Sequence, residues 1–123
     1  MPRVLIVEDE LTLNHCLQDF FRLKGCTTLS AYSGEEAVER LKTQAVDAII
    51  LDVVLPGLSG IEVLRQAKIH VPHAKIIVVT AVDDREVFET IQRCGVDAVI
   101  SKPFDFSDPA WSHVFAQLPT APA

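Results

Sequence analysis

Four short runs of the chain are nearly continuously apolar and rich in β-branched residues: RVLIV (Arg3 to Val7), DAIIL (Asp47 to Leu51), KIIVV (Lys75 to Val79) and DAVIS (Asp97 to Ser101). Runs of that length and composition suit strands covered on both faces. A fifth, TTLSA (Thr27 to Ala31), is more polar and reads as an edge strand. Between these runs the apolar positions change period. Leu13, Cys16, Leu17, Phe20 and Leu23 or Lys24 follow the three-and-four spacing of a helical stripe, and Gly25 supplies its stop. Ala37, Val38 and Leu41 mark a second helix, and Ile61, Leu64 and Ala67 a third. Val87, Phe88, Ile91 and Cys94 mark a fourth, ended by Gly95. In SDPAWSHVFAQL, Ser107 or Asp108 is placed to cap a fifth helix, with Pro109 in its first turn and Trp111, Val114, Phe115 and Leu118 as its stripe.

Strict alternation of strand and helix predicts an α/β fold: a single doubly wound parallel sheet of five strands, right-handed crossovers, and five helices on its two faces. Residues 1–118 form one domain on this reading, and PTAPA at 119–123 is the start of a linker or a trimmed tail.

Composition narrows the setting. A chain of 123 residues, 49% of them hydrophobic, buries about two-thirds of its unfolded surface in one core without a staple. No apolar run approaches the roughly 20 residues that span a bilayer, and the N-terminal stretch MPRVLIVEDE reaches acidic residues too soon for a signal peptide. Cys16, Cys26 and Cys94 are scattered at unrelated spacings, which suits reduced, buried thiols in a cytoplasmic protein. The net charge of -6 argues against direct nucleic-acid binding by this segment. His15, His70, His73 and His113 lack zinc spacing with any cysteine and read as solvated or packed side chains.

In a parallel sheet the carboxyl ends of the strands share one edge, so the residues just after each apolar run meet in space. They are Glu8 and Asp9, then Asp52, then Thr80, then Lys102. Singly, each has a plain structural reading as a cap, a turn or a surface residue. Jointly they gather three carboxylates, a hydroxyl and an ammonium. Like charges so crowded raise each other's pKa unless a cation intervenes. Magnesium suits hard oxygen ligands and phosphate oxygens, Lys102 suits a phosphate as a point charge, and Thr80 can donate a hydrogen bond to another oxygen. Phosphoryl transfer to the Asp52 carboxylate is the chemistry that uses all of them.

These motifs, VLIVEDE, ILDVVLPGLSG, IIVVTA and SKPF, resemble those of the receiver domain of two-component response regulators, over Arg3 to about Leu118. The resemblance implies a flavodoxin-like sheet of order 2-1-3-4-5 and transfer to Asp52 from a phosphohistidine of a sensor histidine kinase or phosphotransfer domain. It implies that Asp9 holds magnesium directly, Glu8 through water, and that Asp52 and the backbone carbonyl of Val54 complete the ligand set. Thr80 and Lys102 bind phosphoryl oxygens on this reading. The sharp turn after a buried strand, with the resemblance, predicts a cis bond before Pro103. The face of the fourth helix, fifth strand and fifth helix is expected to carry the output, with a homodimer as one use. In one respect the chain departs from the pattern: Val99 stands where an aromatic switch residue is usual. Val54 and Val82, each two residues beyond a site residue, cannot orient a water, so a long-lived phosphoryl state is expected.

Three rivals fit the architecture less well. A phosphatase of the haloacid dehalogenase type needs an acid where Val54 stands, and the same gap disfavours a nuclease-like paired-aspartate site. A flavodoxin-type flavin binder needs a phosphate loop poorer in acids than EDELTLN. A degenerate receiver used only for docking would not need every reactive group.

Overall fold

The computed structural model describes residues 1–55, 57–81 and 83–118; the linker reading of residues 119–123 and the role expected of Val82 lie outside the described residues. Strands and helices alternate throughout: β1 (Arg3–Val7), α1 (Leu11–Leu23), β2 (Thr27–Ala31), α2 (Gly34–Thr43), β3 (Ala48–Leu51), α3 (Gly60–His70), β4 (Lys75–Thr80), α4 (Arg85–Arg93), β5 (Ala98–Ser101) and α5 (Pro109–Gln117). All pairings are parallel and the strand order is β2-β1-β3-β4-β5. The fold is the flavodoxin-like doubly wound sheet.

The continuous apolar runs have a simple cause. Leu5, Val7, Ile49, Leu51, Ile76 and Val78 project into one core with Leu41, Leu64 and Ile91 of α2, α3 and α4. Val4, Ile6, Ile50, Ile77, Val79 and Ile100 project into the other with Leu17 and Phe21 of α1 and Trp111 and Val114 of α5. Both faces of the central strands are therefore dry, so neither set of alternate residues can be polar. At the edge, β2 keeps most of its residues only half-buried.

Two strands begin one residue later than their apolar runs suggest. Asp47 and Asp97 stay outside β3 and β5 because each carboxylate accepts a backbone N–H of a neighbouring strand, from Arg3 and from Ile76, both at 2.8 Å. Asp108 proves to be the cap of α5, accepting from the Ala110 N–H at 2.9 Å.

The largest correction concerns α1, whose buried residues are Asn14, Leu17, Gln18 and Phe21. The predicted stripe is thus turned by about one residue: Cys16 is exposed and Leu23 is 85% exposed. Expecting Cys16 to be buried was therefore wrong, while Cys26 is buried and Cys94 half-buried. In α4 only Ile91 is fully buried, and Phe88 stays 39% exposed.

Candidate functional site

The carboxyl edge of the sheet gathers four of its strand ends. Asp52 follows β3 and donates its N–H to Val7 O at 3.0 Å, which locks it beside the end of β1. Its carboxylate is 6% exposed for the residue as a whole. Oδ1 accepts the Val54 N–H at 2.9 Å, and Oδ2 accepts Lys102 Nζ at 2.7 Å. The chain can turn sharply after Asp52 because Gly60, at the head of α3, lies against the Val53 backbone, where any Cβ would collide.

Glu8 and Asp9 follow β1 but diverge: Glu8 is 2% exposed, whereas Asp9 faces solvent. Glu8 Oε1 accepts Lys102 Nζ at 2.5 Å and Oε2 accepts the Glu10 N–H at 3.1 Å. Lys102 leaves β5 with its N–H on Thr80 O at 2.9 Å, and the Lys102–Pro103 bond is cis. Thr80 is buried at the end of β4, in register with Ser101. Val99 is half-buried and packs on the core beneath α2, α3 and α4.

Burial pushes the Glu8 carboxyl above its ordinary pKa, aided by the neighbouring Asp52 charge and opposed by the Lys102 bond. Burial also works against the Lys102 ammonium, but its hydrogen bonds to Asp52 and Glu8 outweigh that and hold its pKa above the ordinary lysine value. The proton thus stays on the lysine, which neutralises part of a buried acidic pair.

Glu8, Asp9 and Asp52 each present a carboxylate oxygen within 4.8 Å of the others. Three hard anionic oxygens at that spacing can hold a divalent cation. They open into a cavity of about 460 Å³ that Val54, Ala81 and Lys102 also line. An anion arriving there meets an ammonium, and a cation arriving there meets three carboxylates.

The family profile of the response regulator receiver domain matches residues 4–109. The chain belongs to the response regulator receiver domain family. Among curated relatives of this receiver, the cyclic di-GMP phosphodiesterase of Thermotoga maritima is 40% identical over 100 residues, 81% of this chain and 27% of that protein. Sporulation initiation phosphotransferase F of Bacillus subtilis is 27% identical over 106 residues, 86% of each chain. The alkaline phosphatase synthesis transcriptional regulatory protein PhoP of Bacillus subtilis is 38% identical over 107 residues, 83% of this chain and 42% of that protein. The receiver thus spans less than half the length of several relatives it matches. Among solved structures, a receiver domain from Methanospirillum hungatei superposes with a TM-score of 0.88 at 24% identity, covering 95% of this chain and 94% of that one. The response regulator protein TrrA from Thermotoga maritima, solved with Mg(2+)-BeF, gives 0.83 at 30% identity, covering 96% and 100%.

Two buried polar residues beside the site escaped the sequence reading. Asn14 is fully buried and Gln18 nearly so. The signal was present: an amide pair at i, i+4 in phase with Leu17 and Phe21. Hydropathy alone turned the stripe away from it.

Proposed function

We propose that this receiver takes up a phosphoryl group on Asp52 from the phosphohistidine of a sensor histidine kinase or phosphotransfer domain, acting as a signalling domain in the cytoplasm rather than as an enzyme. The supporting observation is the Lys102 ammonium held 2.7 Å from Asp52 and 2.5 Å from Glu8 at the floor of an open acidic cavity. An Asp52 carboxylate oxygen attacks phosphorus in line with the P–N bond. The new P–O bond forms as the P–N bond breaks, and the imidazole leaves with the bonding pair and takes a proton from solvent. The Val54 N–H steadies the carboxylate while Lys102 shifts from it to the transferred oxygens. Thr80, at the neighbouring strand end, donates to another of them.

The all-oxygen donor set and the room of the cavity fit magnesium. Asp9, Asp52 and the Val54 carbonyl would hold Mg2+, with Glu8 acting through water, and the ion supplies charge neutralisation across carboxylate and phosphoryl oxygens. On this reading the output passes through α4, β5 and α5, where a homodimer can form, with a smaller rearrangement at Val99 than an aromatic ring would give. Nucleic-acid contact is left to other parts of whatever protein carries the domain.

The test is incubation of the full chain with acetyl phosphate and magnesium, read by intact mass. One phosphoryl group, labile to hydroxylamine as an acyl phosphate is, is expected on the parent and none on Asp52→Asn. Undiminished hydroxylamine-labile labelling of Asp52→Asn would overturn the assignment.

A further inference from the structure

We propose that Asn14 is a positioning residue that sets the acid pair in its cation-holding geometry, acting through the Glu8 carbonyl. This rests on the phospho-acceptor reading of the site. Asn14 Nδ2 donates to Glu8 O at 2.9 Å and to Ala31 O at 3.3 Å, where β1 and β2 end. Ala31 O also accepts the Glu8 N–H at 3.1 Å. Both main-chain groups of Glu8 are therefore fixed, and its two carboxylate oxygens are fixed by Lys102 and the Glu10 N–H.

The peptide between Glu8 and Asp9 is planar, so holding its carbonyl oxygen fixes the direction in which the Asp9 Cα leaves. Asp9 itself is exposed, so the backbone that carries it sets where its carboxylate lies. A tilt of that plane by roughly 20° would swing the carboxylate by more than about 1 Å, against a tolerance of about 0.2 Å for a metal–ligand distance. Magnesium is the strictest of the biological cations about such errors.

The amide's orientation is itself determined. Asn14 Oδ1 accepts Gln18 Nε2 at 2.7 Å, and Gln18 Oε1 accepts Arg22 Nη2 at 3.0 Å. The arginine can only donate, which assigns the oxygen of Gln18, hence its nitrogen, hence the oxygen of Asn14. Nδ2 must therefore face the two carbonyls. An apolar residue at this buried seat would pack as well against Leu17 and Phe21 but would leave Glu8 O without its donor, and the loop would turn to find another.

The experiment compares Asn14→Leu with Phe21→Leu, a packing change on the same buried face of α1 that leaves the Glu8 carbonyl untouched. Magnesium affinity of each full-length variant is measured by calorimetry, and stability by thermal unfolding in EDTA. Asn14→Leu should weaken magnesium binding about tenfold, the low end for loss of a residue that orients a ligand, while Phe21→Leu, though less stable than the parent, stays within about twofold. Should Asn14→Leu fail to fold, Asn14→Ser, which keeps a short donor, should weaken binding by a smaller but measurable factor. Asn14 variants that bind magnesium like the parent, or a Phe21→Leu that weakens it equally, would overturn the proposal while the parent's labelling at Asp52 leaves the functional reading intact. A parent that neither binds magnesium nor labels would overturn both.

Discussion

Lys102→Met isolates the electrostatics of the site, because methionine keeps most of the side chain's length and removes only its charge. In the parent the ammonium lies 2.7 Å from Asp52 and 2.5 Å from Glu8, with its side chain 20% exposed and theirs 8% and 3%. At an effective dielectric near 20, each such pair is worth about 6 kcal/mol. Desolvating the ammonium and both carboxylates returns most of that. What remains after its removal is a pair of buried carboxylates without a counter-charge, for which a net loss of about 3 kcal/mol in metal-free protein is the expected scale, the low end for a buried pair because the lysine is part-exposed. For a chain of this length that is a fall in Tm of about 6–12 °C. Magnesium should reverse the loss in part. With the ammonium gone a cation meets less repulsion, and a relief of about 1.4 kcal/mol tightens its binding about tenfold. Thermal unfolding in EDTA and in saturating magnesium, with calorimetric affinities, tests both halves. A Lys102→Met protein within about 0.5 kcal/mol of the parent in EDTA, a change typical of neutral surface sites, would refute the reasoning, as would an unchanged magnesium affinity.

Other outcomes follow from single contacts. Val54 lines the cavity and is 58% exposed, yet cannot hydrogen-bond a water; Val54→Asn should shorten the life of the phosphoryl group about tenfold by supplying about 1.4 kcal/mol of positioning, and unchanged decay after donor removal would oppose this. Gly60→Ala forces a Cβ into the Val53 backbone, so chemical denaturation should reveal a loss of at least about 2 kcal/mol, and a variant as stable as the parent would show that the turn relaxes freely. Burial pushes the Cys26 thiol up; the unfolded chain then loses its proton first, so this contribution is complete below about pH 8.5 and is lost as pH climbs through the folded value. Tm between neutral pH and pH 10 should therefore fall more in the parent than in Cys26→Ala, and parallel curves would contradict it. Alkylation should meanwhile reach the exposed Cys16 well before the buried Cys26.

The strands were legible because dry faces admit few residue types. Every central run that is apolar on both faces became a strand, and the polar residue that ended it had to lie at the sheet's carboxyl edge. That is why Asp52 and Thr80 could be placed there from spacing alone, whereas Lys102 follows β5, an edge strand only part-buried but still apolar enough to read as a strand. Burial within the acid pair could not be read. Glu8 and Asp9 are adjacent and alike in charge, yet only Glu8 turns inward, because Lys102, ninety-odd residues on, waits there to receive it. The phase of α1 failed for a related reason. The seat at Asn14 is defined by two carbonyls left at the ends of β1 and β2, and a hydropathy stripe carries no information about where carbonyls need donors.

The two walls of the site differ in exposure, and the difference has a use. Lys102 sits on a loop anchored by rings: Phe104 packs on Trp111 with centroids 5.3 Å apart, and Phe106 packs on Phe20 at 4.4 Å. Those rings stack between α1 and α5, so the backbone that carries the ammonium is braced from both helices. On the opposite wall, Asp9 and Val54 are exposed and face the open cavity. Under the proposed function, a donor protein would approach from that open side. Under the proposed transfer, the charge it delivers would be met by a lysine whose backbone is already in place, so the reorganisation required would be a side-chain movement from carboxylate to phosphoryl oxygen, not the movement of a loop. Stabilisation by charges that need no rearrangement is where electrostatic catalysis gains most.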